Sequence, residues 1–144
     1  MKLSTRVRYG VRAMVQLAKQ KDDNPVPLRH LAEQQSISTK YLEQMIAAMK
    51  IAGLIASVRG AEGGYRLGKP ADEITVWDIY RVLDVSGEVI DCQSPPCERI
   101  DYCGTRGVWV ELVKAIETVL KSKTLRQLAD QETRLEKRVA ARSR

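Results

Sequence analysis

Ser36-Ile37-Ser38-Thr39-Lys40-Tyr41-Leu42-Glu43-Gln44-Met45-Ile46-Ala47-Ala48-Met49, with Leu54-Ile55-Ala56-Ser57-Val58-Arg59-Gly60-Ala61-Glu62-Gly63-Gly64-Tyr65-Arg66-Leu67 just after it, decides the fold. In the first run Leu42, Met45, Ile46 and Met49 recur at i, i+3, i+4 and i+7, the apolar stripe of an amphipathic helix. Ser38 precedes that stripe as a candidate N-cap, because a serine hydroxyl can satisfy an orphan N–H of the first turn. Thr39, Lys40, Glu43 and Gln44 fall on the opposite, polar face. In the second run two short β-compatible segments flank Gly60, Gly63 and Gly64, and glycine supplies the positive φ a tight hairpin demands.

Working outward, a helix starting near Pro27 carries Leu28, Leu31 and Ala32 to about Gln35, and a small turn at Ser36-Ile37 joins it to the next. Two short helices around a small turn describe a helix-turn-helix, and a following hairpin makes it winged. Arg59, at the hairpin tip, is placed to enter a narrow, negative minor groove. Ahead of these, Ser4 caps a basic helix with Val7, Val11, Met14, Val15 and Ala18 inward, and Lys21-Asp22-Asp23-Asn24-Pro25 breaks it. Beyond the hairpin, Thr75 opens a helix with Val76, Ile79, Tyr80 and Leu83 as its core face, ended by Gly87. Residues 1–85 thus read as a winged helix-turn-helix domain.

All three cysteines fall in one Pro-rich loop, Cys92, Cys97 and Cys103, spaced C-x4-C-x5-C within residues 86–106. Three clustered thiols in a cytoplasmic protein point to metal or redox chemistry; a local disulfide with one free thiol is the plainer alternative. Thiolates are soft donors that select zinc, copper(I) or iron–sulfur clusters. Structural zinc favours C-x2-C knuckles and four complete ligands, which this loop lacks, so a cluster is the better reading. His30, alone on the second helix, reads as a surface histidine rather than a ligand.

From Trp109 the stripe Leu112, Val113, Ile116, Val119 and Leu120 exceeds what a small domain needs, so residues 107–131 read as a dimerisation helix and a short following helix. The basic residues 132–144 read as a disordered tail. The fold class is therefore mainly α with a small β-hairpin wing, a winged helix-turn-helix plus a long C-terminal dimerisation helix in a homodimer.

Composition agrees. The 144 residues are 44% hydrophobic with 5% aromatics and no Phe, a helix-like balance, and the net charge of +6 with a pI near 9.4 favours a polyanion partner. No apolar run is long enough to span a membrane, and no signal peptide follows the charged N-terminus, so a cytoplasmic location is expected. With one histidine and no nucleophile–base constellation, an enzyme is not expected.

Met1-Lys2-Leu3-Ser4-Thr5, Tyr9-Gly10-Val11-Arg12-Ala13-Met14, Tyr41-Leu42-Glu43-Gln44, Ser57-Val58-Arg59-Gly60 and Gly63-Gly64-Tyr65 resemble the IscR and NsrR family of iron–sulfur-dependent winged-helix regulators over residues 1–125. The resemblance implies a homodimer on near-palindromic double-stranded DNA and a cluster, 2Fe-2S by analogy, held by Cys92, Cys97 and Cys103. It also implies DNA contacts from Ser38, Lys40, Tyr41, Gln44 and Arg59, with Glu43 discriminating between promoter classes. Two departures stand out. Four residues separate the first two cysteines where the family has five, and neither family fourth ligand is present: Arg106 replaces a histidine and Arg8 an aspartate. Asp101 and Glu98 are the fourth-ligand candidates within the loop. The competing reading is a cluster-free repressor of the same family that answers to thiol oxidation or a partner protein, for example in cysteine metabolism.

Overall fold

The computed structural model describes residues 3–20, 24–84 and 97–143. Among the described residues six helices and one hairpin follow in order: α1 Thr5–Ala18, α2 Leu28–Gln35, α3 Thr39–Ile51, β1 Ile55–Val58, β2 Gly64–Leu67, α4 Val76–Leu83, α5 Arg106–Lys121 and α6 Leu125–Arg142. The fold is a winged helix-turn-helix, mostly helical with one two-stranded antiparallel sheet.

Local chemistry explains the helix starts. Ser4 Oγ accepts from Val7 N, Ser38 Oγ from Tyr41 N, and Thr75 and Thr124 each form a reciprocal capping box, with Asp78 and Gln127. The turn between α2 and α3 pivots on Ser36, whose φ of 54° puts a non-glycine residue in the left-handed region. Such a residue is tolerated there because the neighbouring helices fix the geometry.

In the hairpin Ile55 pairs with Leu67 and Val58 with Gly64. Gly60 takes φ 120° in the connection, a conformation that L side chains rarely adopt. At Gly64 the reason is space: a Cβ would lie 2.5 Å from the Val26 carbonyl. That close approach lets Val26 and Tyr65 exchange two backbone hydrogen bonds of 2.8 and 2.9 Å, seating the wing against the start of α2.

One core unites α1 to α4 with the start of α6. Met14, Leu31, Leu42, Met45, Met49, Ile74, Ile79, Leu83 and Leu125 are fully buried, at about 1.5–3 kcal/mol for each large apolar side chain. Leu125 N donates to Ile74 O and Val76 N to Lys123 O, so the starts of α4 and α6 are tied although they lie far apart in sequence.

Two expectations need correction. α4 ends at Leu83, ahead of Gly87, which lies outside the described residues. The tail is not disordered: α6 runs through it to Arg142, 18 residues in all, and is no short helix. The physical reason is remote in sequence. Gln16 on α1 and Lys19 at its C-cap hold Glu132, and Lys19 also holds Glu136, anchoring α6 along α1.

Candidate functional site

The surface that the sequence singles out for DNA contact is built from α3 and the wing. Burial of Leu42, Met45, Ile46 and Met49 turns the opposite face of α3 outward, leaving Thr39, Lys40, Glu43 and Gln44 exposed. Tyr41 is half-buried at the edge of that face. Its ring meets Tyr9 of α1 edge-on, centroids 6.4 Å apart at 86°, and Arg12 lies over the Tyr9 ring at 5.5 Å. Ser38 is exposed, but its hydroxyl is occupied as the cap of α3. Arg59 is exposed directly after β1, at the hairpin tip. The six polar residues singled out in the sequence therefore share two neighbouring elements. Arg12 was expected to lie off the α1 stripe, facing solvent or a phosphate backbone; its seat over Tyr9, and the support Tyr9 gives Tyr41, were not foreseen, and the i, i+3 spacing on α1 was the available signal.

The thiol site lies at the start of α5. Cys97 is exposed and Cys103 half-buried; both are free thiols, while Cys92 lies outside the described residues. Successive turns, Ile100 N to Cys97 O at 3.1 Å and Arg106 N to Cys103 O at 3.2 Å, carry the chain into the helix. Thr105 stands at the N-cap of α5, yet its hydroxyl caps no backbone N–H and instead meets Cys103 Sγ at 3.3 Å. That hydroxyl, then the Thr105 and Arg106 N–H groups and the Arg99 charge, hold the Cys103 thiol below its ordinary pKa against a smaller desolvation effect. A helix start favours a thiolate for the same reason it favours any anion.

Asp101, Cys103 and Arg106 line one open cavity of about 610 Å³ with Glu111 and Lys114. Glu98 is exposed and is not on that wall. Among the described residues no three His, Cys, Asp or Glu side chains gather into a metal-holding group. The donor chemistry nevertheless suits a soft centre, since Cys103 is already biased toward the thiolate that metals require. His30 is exposed on α2.

α5 differs from every other helix in burying none of its residues. Val108, Trp109, Leu112 and Val119 are exposed. Among the described residues, no helix is long and apolar enough to cross a membrane.

The family model for Rrf2, described as an iron-dependent transcriptional regulator, matches residues 3–131. The HTH-type transcriptional regulator IscR of Yersinia enterocolitica is 39% identical over 137 residues, 94% of this chain and 84% of that protein. Among solved structures, T. potens IscR matches at a TM-score of 0.76 and 41% identity, covering 92% of this chain and 88% of that one. CymR, the global cysteine regulator of B. subtilis, matches at 0.73 and 38%, covering 91% and 98%. These proteins are transcription regulators and not enzymes. Likeness to IscR and to CymR is of similar size, so it does not separate a cluster-sensing protein from a cluster-free one.

Proposed function

The chain belongs to the Rrf2 family of transcriptional regulators, and on that premise we propose that it binds a near-palindromic operator as a homodimer under control of an iron–sulfur cluster. Cys92, Cys97 and Cys103 are the thiolate ligands, with a 2Fe-2S centre as the reading. The observation that carries this is Cys103: an accessible thiol held toward its thiolate form at the mouth of α5, six residues after a second free thiol. When bound, the cluster supplies a redox-active, degradable group whose gain or loss reports iron, oxygen or nitric-oxide status.

The protein's own residues do the rest. Lys40, Tyr41 and Gln44 of α3 enter the major groove, and Ser38 approaches the backbone while capping the helix. Arg59 reaches the minor groove. Glu43 works by exclusion, since a carboxylate can accept from cytosine N4 but repels acceptor-rich edges and phosphates. The exposed stripe of α5 pairs with a second copy, bringing two readers into register. Asp101, sharing a cavity wall with Cys103, is favoured over Glu98 as an oxygen ligand completing the site; Arg106 cannot serve, because its guanidinium stays protonated. The family's DNA binding and the cytoplasmic location of operators fit this reading.

A visible absorption spectrum of protein purified without oxygen tests it. Charge-transfer bands that vanish on Cys97→Ala or Cys103→Ala support the cluster; Asp101→Ala should change their lifetime or shape more than their presence. Colourless protein that still binds its operator supports the second reading, a cluster-free repressor answering through thiol oxidation or a partner. Likeness to CymR of the same order as that to IscR supports this alternative too, and a Cys103 thiol biased toward its thiolate serves either chemistry.

A further inference from the structure

A second cavity, of about 310 Å³, lies between α1, α2 and α6 and shares only Arg12 with the surfaces described above. Arg12, Gln16, Gln34, Gln35, Glu132 and Glu136 line it, an all-polar wall at the small end of the range for ligand sites. Gln35 is 4% exposed, and its Oε1 is buried with no hydrogen-bond partner. Its amide nitrogen makes no hydrogen bond among the described residues either. Buried amides are nearly always satisfied, and one that is not calls for a partner from outside the chain.

The charges around it are half-used. Among the described residues Arg12 makes no ion pair; its guanidinium rests only on the Tyr9 ring. Glu132 Oε1 accepts from Gln16 Nε2 at 2.6 Å and from Lys19 at 3.3 Å, and Glu136 Oε1 accepts from Lys19. The second oxygen of each glutamate has no partner among the described residues. Burial works against the Lys19 charge, but its bonds to Glu136 and Glu132 outweigh that and leave its pKa raised.

We propose that this cavity is an effector site for a small zwitterion of the α-amino-acid class. Arg12 takes the carboxylate, the free oxygens of Glu132 and Glu136 take the ammonium, and the Gln35 amide completes the shell. A ligand carrying only one of the two charges leaves the other wall unpaired. Gln35 is the last residue of α2, directly before the left-handed turn at Ser36 that sets α3. A bound zwitterion therefore ties α6 to the pivot of the helix-turn-helix, and ligand and operator affinities become linked reciprocally. The site shares no lining residue with the cavity beside Cys103 and needs no cluster.

Calorimetry and thermal melting with L-alanine, L-serine and L-glutamate test it, with lactate and ethylamine as controls that carry one charge each. At least one amino acid should bind and raise the Tm at millimolar concentration while the controls do not. Arg12→Gln should weaken that binding about tenfold or more, as loss of a charge-assisted partner does. Gln35→Met should abolish it while leaving the free protein's Tm unchanged or higher, since an unpaired buried amide gives way to an apolar chain of similar shape. A glutamine with a merely structural role would give the reverse, a lower Tm with ligand affinity intact. If no probe binds, or if either variant binds as tightly as wild type, the cavity holds only water and the proposal is overturned.

Discussion

α3 and α5 are both amphipathic helices of similar length, 13 and 16 residues, and they meet opposite fates. In α3 the apolar stripe is sealed, with Leu42, Met45, Ile46 and Met49 at most 1% exposed. In α5 an equally apolar stripe buries no residue, leaving Trp109 and Leu112 each 37% exposed. The starts differ in the same sense. Ser38 spends its hydroxyl on the backbone of α3, whereas Thr105 spends its own on Cys103. One helix is finished by its own domain, and its polar face is free to read a groove. The other leaves its apolar stripe uncovered by its own domain, and on the proposed function it is completed from outside, at one end by what the thiols bind and along its length by a second copy.

Core truncation gives the largest contrast. Leu42→Ala should cost about 2–5 kcal/mol of folding stability in urea denaturation, because a cavity opens in a closed core. Leu112→Lys should change monomer stability by only about 0.5 kcal/mol, as exposed substitutions do. In sedimentation, however, that variant should be a monomer where the wild type is a dimer. A dimer that survives Leu112→Lys and Trp109→Ala would show that the α5 stripe is not the interface.

The wing comes next. Arg59→Ala should weaken specific operator binding by about 1–3 kcal/mol at constant salt, as loss of a groove-reading arginine does. Unchanged binding would remove Arg59 from the interface and leave α3 to read alone. Glu43→Ala tests a matter of choice instead: the cluster-free protein should gain sites that wild type refuses, and identical site preference would end the exclusion role.

These expectations rest on features that differed in legibility. α1, α3 and the hairpin were readable because their signals are local: a 3.6-residue period, a serine one position ahead of it, glycines between short β-compatible runs. α6 beyond Arg134 was not, since Leu135 and Val139 are exposed and the helix is held by Gln16 and Lys19, more than a hundred residues away. The burial of Gln35 was hidden for the same reason; its neighbours are polar, and the cavity wall opposite comes from the far end of the chain. At the thiol site the cysteines were plain, but the diversion of the Thr105 hydroxyl to Cys103 reverses what an N-cap threonine ordinarily does.

The caps supply the smallest and sharpest contrast. Ser38→Ala should lower folding stability by about 0.5–2 kcal/mol, the usual worth of a serine cap. Thr105→Ala should leave stability nearly unchanged and act on the thiol instead. Because the folded environment depresses the Cys103 pKa, its thiolate persists at lower pH than that of a cysteine in a short peptide. In a Cys92→Ser, Cys97→Ser background, the iodoacetamide rate should therefore keep its plateau further down the pH scale and fall only through the depressed value. Thr105→Ala should move that profile back toward higher pH, and superimposable profiles would show that the hydroxyl does not control the thiol.

The most direct measurement is operator affinity for one anaerobic preparation, by fluorescence anisotropy, before and after its iron is removed by chelation. Cluster control predicts a shift in affinity or in site preference between the two states, lost in Cys103→Ala. Superimposable binding curves before and after iron removal would contradict it.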